Sequence, residues 1–138
     1  MDDFKQLEVW QRSQAVALRI YRVAGSWPPI HDVLSSDVRS AAITIPAKIA
    51  NGCGRGGSKG FARMLSVALR SARELEYHLR LAKDLGALGP LEHEEITEET
   101  RAIRRMLASH IRRATPRAVS FGRVLRRRPA AVPPRTDN

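Results

Sequence analysis

The chain carries one cysteine, Cys53, and so can neither close an internal disulfide nor build a cysteine zinc site. No stretch approaches the eighteen or so consecutive apolar residues of a membrane-crossing helix, which excludes a helical span. Aromatic residues make up 5% of the composition and histidines number four, so stacking platforms and general bases are both scarce. Negative charge is the minority: 14 acidic residues face 24 basic ones, for a net +10. The opening Met1-Asp2-Asp3-Phe4-Lys5 lacks the basic start and apolar stretch of a secretory leader, so the expected compartment is the cytoplasm. With 138 residues there is material for one core and a tail, but not for two.

What the sequence has in excess is arginine, which accounts for 20 of the 24 basic residues. Beyond Ile111 eight arginines stand against one aspartate, so +7 of the +10 falls on the C-terminal segment. A guanidinium grips phosphate oxygens by two parallel bonds and stays charged at any physiological pH, so nucleic acid is an expected partner. Alanine, glycine and proline rise together with arginine, and a shifted genome-wide composition gives the same pattern without any ligand.

Apolar residues recur at helical rather than strand spacing throughout. Phe4, Leu7, Trp10, Ala17, Leu18 and Tyr21 predict an amphipathic helix over residues 4–24, stopped by Pro28 and Pro29. Leu34, Val38, Ala41, Ala42, Ile45 and Ile49 predict a second over residues 32–51, kinked at Pro46, with Thr44 bonding a freed carbonyl. After the glycine-rich loop at Gly52 to Gly57, Ser58 is the expected N-cap of a third helix. Its apolar face is Phe61, Met64, Leu65, Ala68, Ala72, Leu75, Leu79 and Ala82, and it ends at Gly86. A fourth follows Gly89-Pro90, with glutamates early, arginines late and a seam of Ile96, Ile103, Leu107 and Ile111 beside His110. The expected fold is all-α: an antiparallel up-down-up-down four-helix bundle over residues 1–115, with an Arg/Pro-rich disordered tail over 116–138. Trp10 and Trp27 with Val9, Ile20 and Ile30 are more apolar surface than one small bundle covers, which points to self-association.

The string Arg39-Ser-Ala-Ala-Ile-Thr-Ile-Pro46-Ala-Lys-Ile-Ala-Asn-Gly52, then Arg55 and Phe61, resembles a known family. It is similar to the four-helix bundle proteins encoded in intervening sequences of bacterial 23S ribosomal RNA genes. Leu7-Glu8-Val9-Trp10, Ile20-Tyr21, Trp27-Pro28, Glu74-Leu75-Glu76, Leu79 and Leu85-Gly86 extend the resemblance over about residues 4–111. It implies a homopentamer related in fold to the accessory protein of diversity-generating retroelements, a basic pentamer that binds nucleic acid and works with a reverse transcriptase. It implies no enzymatic activity. The chain departs from the family pattern at Lys48, Asn51 and Gly60, losing two carboxylates around the loop between the second and third helices.

The residues offer no convincing catalytic constellation, cofactor motif or metal set. No histidine lies near Cys53 in sequence, and Gly57-Ser58-Lys59 has the lysine and hydroxyl in the wrong order for a phosphate loop. His93 among Glu92, Glu94 and Glu95 points around a helix rather than to one centre. The expected nucleic-acid contacts are Arg55 and Lys59, then Arg63, Arg70, Arg73 and Arg80 along one stripe of the third helix, then Arg126, Arg127 and Arg128. Pairing of Glu74 with Arg70 and of Glu76 with Arg80 would reduce part of that stripe to surface salt bridges. With Phe4, Trp10, Tyr21 and Phe61 mostly needed for the core, binding is expected through phosphates and shape, to RNA more than DNA. The alternative is a structural or protein-interaction oligomer with no nucleic-acid role.

Overall fold

The computed structural model describes residues 3–54 and 57–115; the segment 116–138, with the expected disordered tail, lies outside them. Four α-helices make up the described chain, and no strand occurs among those residues. They are α1 (Glu8–Gly25), α2 (Asp32–Cys53), α3 (Gly57–Asp84) and α4 (Pro90–Ala114). Helix α1 packs on α2 and α4, and α3 packs on α2 and α4. The pairings run in reverse order along neighbouring helices. Arg12 meets Glu99 while Arg19 meets Glu95, and Phe61 meets His110 while Glu76 meets Arg104.

The core is aliphatic and continuous from end to end. Leu65, Leu75, Ile103 and Leu107 have no exposure, nor have Val9, Val38 and Ile49. Each such side chain stabilises the fold by about 1.5–3 kcal/mol through its removal from water. On α2 every apolar residue of the expected face is buried. Of the buried hydroxyls, Thr100 Oγ1 donates within its helix to the Ile96 carbonyl at 2.8 Å, Ser35 Oγ donates from α2 to the Ala24 carbonyl of α1 at 2.9 Å, and Thr97 Oγ1 has no partner among the described residues.

Three local features differ from the sequence reading. The first helix starts at Glu8, because Asp3 accepts from Lys5 N at 3.1 Å and closes a separate 3₁₀ turn over Phe4–Gln6. Leu7 is then extended, at φ −79° and ψ 127°, and Phe4 folds back edge-on to Trp10 at 5.1 Å between ring centroids. The core face of α1 is also rotated: Val9, Val16 and Ile20 are buried, whereas Leu18 and Tyr21 are 47% and 44% exposed. Val9 and Ile20 are thus core rather than surplus surface. Third, α3 begins at Gly57, so Ser58 sits inside the first turn instead of capping it.

Helix α2 is continuous through Pro46, whose ring is buried. Thr44 Oγ1 donates at 2.8 Å to the Ser40 carbonyl, not to the Ala42 carbonyl that the proline leaves without its helical donor. Near the end of α2 comes Gly52, where a Cβ would lie 3.0 Å from Met64 Cβ and 3.3 Å from Phe61 Cδ1. Absence of a side chain there lets α2 and α3 approach closely. Gly86, at φ +80°, ends α3 in the left-handed region, and the N–H groups of Ala87 and Leu88 return to the Ala82 carbonyl.

Candidate nucleic-acid interface

Carboxylates are spent unevenly over the surface. Arg12 of α1 donates from Nε and Nη2 to the two oxygens of Glu99 on α4, at 2.7 and 2.9 Å. That two-bond grip raises the Arg12 pKa, opposed by partial burial, and holds the Glu99 carboxyl below its ordinary range. Arg19 bridges to Glu95 at 2.7 Å and to Glu92 at 3.6 Å, which likewise raises its pKa. Between α3 and α4, Glu76 accepts from Arg104 at 2.8 Å and faces Arg101 at 3.8 Å. These bridges sew α4 to both of its neighbours and use up most of the glutamates facing them.

On the outer face of α3 the balance is different. Lys59, Arg63, Arg70 and Arg73 are exposed. They make no ion pair with any described residue, because Glu76 turns to α4 and Glu74 stays more than salt-bridge distance from Arg70. The expected pairings within the helix do not form. Arg80 is the exception on the stripe: its Nε donates to Asp84 at 3.1 and 3.2 Å, an exposed pair worth a few tenths of a kcal/mol. By the helical repeat, Lys59 to Arg80 spans about 32 Å within an arc of about 100°. Arg55, Arg126, Arg127 and Arg128 lie outside the described residues.

The sequence reading missed Tyr77. It is 63% exposed, lies on the same arc as Lys59, Arg63, Arg70 and Arg73, and meets the His78 ring edge-on at 5.5 Å between centroids. Its spacing of seven from Arg70 and fourteen from Arg63 was the available signal. Beside it a shallow cleft of about 660 Å³ is lined by Asp37 of α2 and by Arg70, Arg73, Glu74, Tyr77 and His78.

Two other surfaces carry distinctive chemistry. Between α1 and α2 an apolar groove of about 470 Å³ is lined by Phe4, Trp10, Leu18, Tyr21, Ile43 and Pro46 among others. Tyr21 is part of this groove rather than the core, with the Arg39 guanidinium 5.4 Å from its ring centroid. Between α1 and α4 a cleft of about 540 Å³ holds Arg12, Arg105, Arg113 and His110. His110 packs edge-on against Phe61 at 6.2 Å, and burial first, then Arg113, depresses its pKa. Among the described residues no three of His, Cys, Asp and Glu gather as a metal-holding group, and no helix is long and apolar enough to cross a membrane.

These features define a helical bundle with a cationic outer face on α3 and an apolar groove between α1 and α2. The family model of the 23S rRNA-intervening sequence protein matches residues 5–109, from just before α1 into the last turns of α4. The chain belongs to that family, as the Pro46-centred motif suggested. It is also similar in fold to a 1.70 Å crystal structure of a protein of unknown function from the S23 ribosomal protein family of Bacteroides thetaiotaomicron VPI-5482. The two are 24% identical with a TM-score of 0.66, the alignment covering 75% of this chain and 97% of the other. No curated protein matches the chain.

Proposed function

We propose that this chain is a non-enzymatic, homo-oligomeric protein that holds RNA or DNA through its phosphates. The observation that carries the reading is the outer face of α3, where Lys59, Arg63, Arg70 and Arg73 stand exposed without a carboxylate partner among the described residues. Unpaired guanidinium groups in a row release counterions from a polyanion when they contact it, so binding falls steeply with salt. The arginines of 116–138 add to the same field. By resemblance to the family the oligomer is a pentamer, and a reverse transcriptase is a partner class the same resemblance suggests. Five copies would repeat every unpaired cation around a ring.

The test is binding of a labelled RNA across a salt series. A steep linear fall of log affinity with log salt supports the proposal; a flat response ends it. The second reading, an assembly module without nucleic acid, draws on the groove between α1 and α2, where Leu18, Tyr21 and Ile43 are each more than two-fifths exposed. Both readings require self-association through an apolar surface. Ile43→Asp would place a charge in that groove, and sedimentation should then show a smaller species than the parent chain. An unchanged mass would remove the groove from the interface.

A further inference from the structure

We infer that Tyr77 is a stacking platform for an unpaired base, which makes the α3 face a reader of single-stranded rather than duplex nucleic acid. The inference rests on the phosphate-binding proposal and narrows its ligand.

A buried aromatic needs no ligand to explain it, but Tyr77 is 63% exposed, midway around a row of arginines. Its only ring contact among the described residues is the edge-on His78, which braces the ring from one side and leaves surface open to a flat partner. His78 is itself half-buried, and its Nδ1 is enclosed without a hydrogen-bond partner among the described residues.

The charges around the ring select among ligands. Arg70 and Arg73 line the cleft together with Asp37 and Glu74 but form no ion pair with them, so hydrogen-bond donors and acceptors stand side by side there. What suits it is an uncharged plane with polar edges, which describes a nucleobase. The carboxylates of Asp37 and Glu74 can accept from an exocyclic amino group, and the guanidinium groups can donate to ring nitrogens or carbonyls. Arg63 and Lys59 continue the row away from those carboxylates, where the sugar-phosphate strand would run. By the helical rise, Tyr77 lies about 6 Å from Arg73 and about 10 Å from Arg70 along the axis, short enough for neighbouring nucleotides to engage ring and cations at once. A duplex keeps its bases stacked inside and offers this ring only backbone.

The test uses the full chain with a labelled single-stranded oligonucleotide and with the same sequence as a duplex, at low salt. Tyr77→Ala should weaken single-strand binding about tenfold, within the range for loss of one stacked base, and leave duplex binding within about twofold. Tyr77→Phe, which keeps the ring, should bind like the parent. Circular dichroism confirms that each variant is folded, as expected for an exposed site. If Tyr77→Ala holds the single strand as tightly as the parent, or loses both forms equally, stacking is refuted while the phosphate reading stands. If the parent binds neither form, or if Arg70→Gln with Arg73→Gln binds both unchanged, the phosphate reading itself fails.

Discussion

Replacing glycine by alanine should have opposite signs at two positions of this bundle. At Gly52 the added methyl would sit 3.0 Å from Met64 Cβ and 3.3 Å from Phe61 Cδ1. Met64 Cβ is fixed to the α3 backbone and cannot swing away, so the two helices must part by a few tenths of an ångström. Such overpacking costs about 1–3 kcal/mol, against about 1 kcal/mol gained from alanine's better helix propensity. The net expectation for Gly52→Ala is a loss of up to about 2 kcal/mol. At Gly25, the last residue of α1, nothing lies within 4 Å of the new methyl. Only the backbone terms remain there, and Gly25→Ala should gain about 0.5 kcal/mol. Urea unfolding followed by circular dichroism reads both, and in thermal melts each kcal/mol moves the midpoint by about 4 °C for a domain of this size. If Gly52→Ala stabilises as much as Gly25→Ala does, close contact at this glycine does not set the α2–α3 spacing.

Leu75, with no exposure, should lose about 2–5 kcal/mol on change to Ala, measured in the same urea experiment. The pH dependence follows from His110 and His93, both pushed below their ordinary 6.5 chiefly by burial. The folded state therefore binds fewer protons than the unfolded one, so their contribution is complete above the unfolded value. It is lost as pH falls through 6.5 toward the lower folded values, and His110→Gln should flatten that part of the curve. Glu99 adds a second window, because Arg12 holds its carboxyl below 4.5 and that stability goes only as pH falls past this point. Cutting the chain after Thr115 removes six arginines and one aspartate. The helical dichroism signal should persist while nucleic-acid binding weakens and its log–log salt slope falls by at least about one; loss of the helical signal would place the domain boundary elsewhere.

The helices were legible because their core residues, aliphatics and alanines, recur at spacings of three and four, and on α2, α3 and α4 the expected face is the one buried. Helix α1 has two apolar faces. Val9, Val16 and Ile20 form one stripe, and Trp10, Leu18 and Tyr21 another about 130° away, so periodicity alone could not say which faces inward. The break at Leu7 was hidden for a similar reason: Phe4 keeps helical spacing to its neighbours, and only the Asp3 cap reveals the separate turn. On the candidate site the cationic stripe was visible in the sequence, but its pairing was not. Glu76 prefers the arginines of α4 to Arg80 because the helix interface brings them to a partly sheltered position, where an ion pair competes less with water. Tyr77 is not singled out by the sequence, because it lies off the apolar face of α3 and its exposure is a tertiary property.

The uneven use of glutamate gives the molecule an electric moment as well as a binding face. The bridged groups between α4 and its neighbours offset one another, whereas Lys59, Arg63, Arg70 and Arg73 on the outer face of α3 have no ion pair among the described residues. In the field of a long polyanion such a body feels a torque at distances beyond contact, turning its α3 side inward before any bond forms. Productive encounters then become a larger share of all collisions, and added electrolyte slows arrival as well as hastening departure.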